Sequence, residues 1–142
     1  MTTRLSDMLN VIRFHVPIPV DFNTAGTADE EPVLIAPIAC TVTGVTLVPE
    51  TAITGHATNY ATLSLENKGA AGTGTDEVAS FAFDTPTTDD VAAFDEKALT
   101  LSATAANLVV TAGQILSIKK ALGAAGQVVE GKVRIEFEPV GA

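Results

Sequence analysis

Near the end of the chain, apolar Val133, Ile135 and Phe137 alternate with charged Lys132, Arg134, Glu136 and Glu138. A period of two sends successive side chains to opposite faces. It predicts an antiparallel strand with one buried and one wet face, stopped by Pro139. The alternation recurs at Ala61, Leu63 and Leu65 and at Ala79, Phe81 and Phe83, with the Gly69-Ala70-Ala71-Gly72-Thr73-Gly74 stretch between them, which predicts a hairpin. Val33 to Ala36 and Cys40 to Val48 also read as strands. In the second, the apolar phase switches from Cys40 and Val42 to Val45 and Leu47 across Gly44, the signature of a bulge or sheet corner. Leu99 and Leu101, then Leu108 and Val110, then Leu116 and Ile118 predict three more strands, the last two separated by a Thr111-Ala112-Gly113-Gln114 turn. No helix of ten or more residues is predicted. The fold class expected is all-β, an antiparallel β-sandwich, jelly-roll-like, with an extended N-terminal arm.

The first twenty residues differ from the rest. Leu5, Met8, Leu9 and Ile12 recur at helical spacing, whereas Ile12, Phe14, Val16 and Ile18 recur at strand spacing. Pro17 and Pro19 lack backbone donors, which suits an edge strand or a strap along a partner. Two readings stand side by side: an extended arm over residues 1–20 preceding a sandwich domain over 21–142, or an ordinary first strand with a frayed end. The arm residues Leu5, Met8, Leu9, Ile12, Phe14 and Val16 are the candidate partner-binding set, by strand addition or groove insertion.

A chain of 142 residues has room for one domain. Apolar residues make up 46%, but aromatics only 5% and Trp is absent, so the core is expected to be thin and built from Ala, Val, Ile and Leu between two sheets. Seventeen acidic against eight basic residues give a net charge of −9, which opposes contact with nucleic acid phosphates. The carboxylates gather in predicted loops, at Asp29-Glu30-Glu31 and from Asp84 to Glu96, where a solvated surface is the plain reading. Cys40 is the only cysteine, so no intrachain disulfide forms, and its apolar strand suggests a buried, inert thiol. The longest apolar run, Val33 to Cys40, is far shorter than a membrane span of roughly 20 residues, and no signal-like segment opens the chain. The expectations are synthesis in a cytoplasm and no membrane partner.

Candidate chemistry is sparse. His15 and His56 have no cysteine or carboxylate at ligand spacing, so no metal and no cofactor is expected, and a cupin-like enzyme loses its ligand set. Asp89-Asp90 and Asp95-Glu96 are paired carboxylates of the kind glycosidic cleavage needs, but a single Tyr60 and no Trp equip the chain poorly to stack sugars. Solvated carboxylates, or a Ca²⁺-binding loop, are the alternatives for Asp84 to Glu96. Gly72-Thr73-Gly74 lacks the Lys-Ser/Thr of a phosphate-binding loop, and no serine sits in a Gly-x-Ser-x-Gly context. No catalytic residue is assigned, and the chain is not expected to be an enzyme.

Phe94-Asp95-Glu96-Lys97-Ala98-Leu99-Thr100-Leu101-Ser102, followed by Thr104-Ala105-Ala106-Asn107-Leu108 and the Ala112-Gly113-Gln114 turn, form a further pattern. Together with Ala36 to Val45, Thr51 to Gly55 and Leu65 to Gly69, it resembles the small β-sandwich proteins that decorate tailed-bacteriophage heads. The likeness spans roughly residues 32 to 138 and rests on strand and turn patterns. Relatives often carry Asp where this chain has Gln114. The resemblance implies a virion structural protein, a capsid decoration or cement protein on the outer capsid surface. Its expected partners are the major capsid protein and two further copies of itself, as a homotrimer. A receptor- or glycan-binding fibre head, or a tail or neck component, are the alternatives.

Overall fold

The computed structural model describes residues 14–140. Among them ten strands follow in chain order: β1 (Phe14–Phe22), β2 (Asp29–Ile35), β3 (Cys40–Pro49), β4 (Ala61–Gly69), β5 (Asp76–Ala82), β6 (Lys97–Ala98), β7 (Thr100–Leu101), β8 (Val109–Val110), β9 (Ile115–Leu122) and β10 (Val129–Pro139). A single 3-10 turn, Ala105–Leu108, interrupts them. They form two antiparallel sheets, the first in the order β1-β10-β3-β6 with β8 also on β3, the second in the order β2-β9-β4-β5-β7. The pairing is nested: β1 with β10, β2 with β9, β3 with β8, and β4 with β5. The chain is an all-β sandwich, as the alternating pattern predicts.

The core lies between the sheets. From the first come Ile18, Val20, Phe22, Val42, Val45, Leu47, Val129, Val133, Ile135 and Phe137; from the second come Ala61, Leu63, Leu65, Val78, Phe83, Leu116 and Ile118. Each large apolar side chain withdrawn from water contributes about 1.5–3 kcal/mol, enough in sum to offset the chain entropy of two sheets. Val133, Ile135 and Phe137 all face inward, and Lys132, Arg134, Glu136 and Glu138 take the other face. The phase switch at Gly44 is a bulge. Glu136 stands opposite Gly44 and Phe137 opposite Val42, so Thr43 is the extra residue. A Cβ at Gly44 would press on the Glu136 side chain.

Three expectations need correction. Residues 14–20 are not an arm, because β1 pairs with β10 residue by residue from Phe14↔Phe137 to Phe22↔Val129, and Ile18 and Val20 lie in the core. The alternation at Leu99 and Leu101 is not one strand: β6 joins β3 in the first sheet and β7 joins β5 in the second, and buried Leu99 lies at the crossing between them. Phe81 is only half-buried, with the Lys97 ammonium 4.1 Å above its ring, while Phe83 is wholly buried at an edge-to-face angle to it. β5 thus lines the core with Val78 and Ala79, Phe83 follows just beyond its end, and Phe81 closes one side.

One inward position is charged. Lys120 continues the Leu116, Ile118 face of β9 and is 1% exposed. Its ammonium donates to the main-chain oxygens of Thr24 at 2.6 Å, Phe22 at 3.3 Å and Gln127 at 3.3 Å. Burial pushes its pKa down, with Asp29 drawing it partly back. It ties the end of β1, the β1–β2 connection and the β9–β10 connection to one point.

Phe137→Ala and Phe83→Ala are expected to cost about 3–5 kcal/mol each in equilibrium denaturation, and Phe81→Ala clearly less. Lys120→Ala, which strands three carbonyl acceptors, is expected to cost about 2–4 kcal/mol by the same measurement.

Candidate functional site

The connections gather at two ends of the sandwich. At one end lie residues 23–28, 50–60, 83–96 and 123–128. Gln127 Nε2 donates to the Thr54 carbonyl, Ala125 N–H to Asn59 Oδ1 at 3.2 Å, and Gly123 N–H to the Tyr60 carbonyl at 2.9 Å, while Ile53 bridges to Val91. At the other end lie residues 36–39, 70–75 and 102–114, with the start of β1 and the end of β10. Ala36 and the turn exchange main-chain bonds, Ala36 N–H to Gln114 O at 2.9 Å and Gly113 N–H to Ala36 O at 2.8 Å. Gln114 Oε1 accepts from Asn67 Nδ2 at 3.0 Å and from Thr111 N–H at 2.9 Å, and Val140 N–H donates to Ala39 O at 3.0 Å.

The two ends are opposites in charge. The first carries Glu50, His56, Asp84, Asp89, Asp90, Asp95 and Glu96, whereas residues 36–39, 70–75 and 102–114 include no charged side chain. The uncharged end also holds most of the exposed large apolar side chains among the described residues: Ile35 at 66%, Ile38 at 42%, Val109 at 42% and Val140 at 47% exposed. In a chain of net charge −9, an end whose connections carry no charge and which exposes four Ile and Val side chains is the surface most easily desolvated. It is the candidate interaction face.

Of the predicted partner-binding residues, Leu5, Met8, Leu9 and Ile12 lie outside the described residues. Phe14 and Val16 belong to β1, opposite Phe137 and Ile135. β1 is an edge strand, yet a poor template for strand addition. Pro17 and Pro19 share a parity whose main-chain nitrogens point away from β10, where a partner strand would need donors, and proline has none. β1 begins at the end where Phe14 pairs with Phe137. Sequence reasoning missed Ile35, Ile38, Val109 and Val140, although the charge-free connections were there to be seen.

The candidate chemical groups are used internally. Asp89 Oδ2 accepts from Thr85 N–H and Asp90 Oδ1 from Gly55 N–H, both at 2.8 Å, so these carboxylates hold the loop together. His56 Nδ1 accepts from Thr58 N–H at 3.1 Å and Asn59 N–H at 2.9 Å, a local turn. Cys40 is buried, which pushes its thiol pKa up. Among the described residues no group of three or more His, Cys, Asp or Glu is placed to hold a metal ion. Gly72-Thr73-Gly74 forms the β4–β5 connection, with Gly74 N–H on the Lys68 carbonyl at 2.8 Å.

The outer face of the second sheet carries a chain of charges. Glu30 Oε1 accepts from Ser117 Oγ at 2.6 Å and pairs with Lys68 Nζ at 2.9 Å; Lys68 reaches Glu66 at 3.3 Å, and Glu66 reaches Lys119 at 3.0 Å. The Ser117 hydroxyl and then Lys68 hold the Glu30 carboxyl below its ordinary value, and Glu30 holds Lys68 above its own. The neighbouring Glu31 is raised by burial and then by the charge of Asp29.

No family model matches this sequence, and no curated protein matches it.

The two glutamates of β2 respond oppositely to acid. Glu30, lowered in the fold, stabilises above the ordinary glutamate value of 4.5, and this is lost as pH falls below it. Glu31, raised in the fold, costs stability once pH rises past its folded value. Glu30→Gln is therefore expected to lower the unfolding midpoint at pH 7 and flatten its acid limb, while Glu31→Gln raises the midpoint at pH 7; thermal unfolding from pH 3 to 8 reads both.

Proposed function

We propose that this protein is a capsid decoration protein of a tailed bacteriophage, which seats the uncharged end of its sandwich on the outer face of the head. The carrying observation is the division between the ends, one with acidic connections, the other with connections that carry no charge and with Ile35, Ile38, Val109 and Val140 exposed. Segments on which the resemblance to phage decoration proteins rests support it, since Ala36 to Cys40, Leu65 to Gly69, Thr104 to Leu108 and the turn at Gln114 come together at that end. The nested pairing also supports reading the sandwich as a jelly roll, a long hairpin of strands rolled into two sheets.

Its mechanism is binding alone, with no catalytic step. The uncharged end loses little hydration on docking, and the acidic end stays in solvent. The net charge of −9 keeps the protein off nucleic acid. Residues 1–13, with Leu5, Met8, Leu9 and Ile12, extend the apolar contact by groove insertion, on the capsid or on a sister subunit. A homotrimer over threefold positions would multiply weak contacts through effective concentration, so that many copies brace the shell.

Ile38→Glu and Val109→Glu place charge on exposed positions and are expected to leave unfolding nearly unchanged while weakening binding to undecorated heads at least about tenfold, as judged by co-sedimentation. Deleting residues 1–12 is expected to reduce decoration of a still-folded protein. Full decoration by both glutamate variants, or a location at a single vertex, the neck or the tail in a particle reconstruction, would overturn the reading.

A further inference from the structure

We propose that the outer face of the first sheet is a two-fold contact between copies of this chain, in which Phe94 of each copy lies in a groove of the other. The groove, about 500 Å³, crosses three adjacent strands. Pro17 comes from β1, Lys132 and Arg134 from β10, and Val48 from β3; Glu50 and Phe94 border them. The pairing of Pro17 with Arg134, and of Lys132 with both Pro19 and Val48, sets these side chains on one outward face. The floor is Pro17 and Val48, which offer aliphatic surface without hydrogen-bonding side-chain atoms.

Phe94 is the most exposed of the large apolar side chains among the described residues, at 76%. Its backbone has φ +64°, a region that a bulky residue enters at a cost of order 1–3 kcal/mol. Its N–H donates to the Pro49 carbonyl at 2.8 Å, which locks that conformation. The fold thus spends backbone strain to hold a ring out in water, where it stabilises nothing within the monomer. A strained, rigidly held aromatic facing solvent suits an intermolecular anchor.

Charge names the occupant. Arg134 is already engaged, with Glu96 and Glu136 each at 3.4 Å. Lys132 is exposed and has no ion-pair partner among the described residues, and Glu50 on the groove's border lies beyond ion-pair distance of it, so the groove sets an ammonium beside its apolar floor with a carboxylate at its edge. Its complement is an apolar ring next to a carboxylate, and Phe94-Asp95 is such a pair, both exposed. Knob and hole lie on the same face of one molecule, which is the requirement for an isologous contact: if Phe94 and Asp95 of the first copy meet Pro17, Val48 and Lys132 of the second, the reverse holds about the same axis. The contact uses neither the uncharged end nor residues 1–13, so it stands apart from capsid binding. It gives neighbouring copies a lateral link. The −9 charge on each copy opposes the approach in dilute buffer, and salt that shortens the screening length to about 8–10 Å favours it.

Sedimentation of the full chain over a range of concentrations at about 0.15 M salt tests this. Doubling of the basal mass is expected, whether that basal unit is a monomer or a trimer. Phe94→Gly is the decisive variant, because glycine enters positive φ freely: it is expected to abolish the doubling and leave the unfolding temperature equal or higher. Lys132→Asp is expected to weaken association at least about tenfold, and adding Asp95→Lys to restore it. Ile38→Glu, which tests the capsid face, is expected to leave the doubling intact. A wild-type chain that keeps one mass up to its solubility limit, association that survives Phe94→Gly, or a Phe94→Gly chain that is less stable would each overturn the proposal. So would loss of head binding by Phe94→Gly without any self-association, which would assign the groove to the capsid instead.

Discussion

The first sheet depends on the register of β10. That strand pairs along its length with β1 on one side and with β3 on the other, so its parity decides which face of three strands is dry. A slip of one residue would expose Val133, Ile135 and Phe137 and bury Lys132, Arg134 and Glu136, a change no sandwich of this size could tolerate. Gly131 helps pin the register. Its φ of +149° and the Val48 carbonyl beside it leave no room for a Cβ, so only this residue of β10 can stand where β3 crosses into Pro49. With β1 and β3 placed, the nested partners in the second sheet face the same core.

Where the core ends, the structure changes its means of holding together. Aromatics are few, so the ends of the sheets are closed by polar devices rather than by larger side chains. Lys120 gathers three chain segments through their carbonyls, and Asp89, Asp90, His56 and Gln114 each satisfy main-chain donors of a connection. Backbone groups in connections lack ladder partners, so a side chain that reaches them removes a desolvation cost at each. These devices give Asp89 and Asp90 structural duties at the acidic end.

The outward surface is consequently divided in three. The second sheet presents a chain of mutually paired charges, the first sheet presents an apolar groove beside the Lys132 ammonium, and one end presents aliphatic side chains on connections that carry no charge. Charges that already have partners gain little from a further one, whereas the other two surfaces gain from being covered. A structural role fits this division, in which the protein works by what it lies against.

The sequence by itself determined the fold class, because strand alternation is local: period two at Ala61 to Leu65 and at Val133 to Phe137 survives in any packing, and the phase switch at Gly44 announced its bulge. Tertiary structure decided the rest. Lys97 to Leu101 read as one strand because periodicity cannot tell which sheet a residue pairs with, and the segment divides itself between two. Residues 14–20 suited an arm or a strand equally until β10 was seen beside them. The same holds for the candidate interaction face: Ile35, Ile38, Val109 and Val140 are distant along the chain, and each alone reads as a core residue. They become a surface only because nested pairing brings the charge-free connections to one end, a long-range consequence of sheet order that no local pattern encodes.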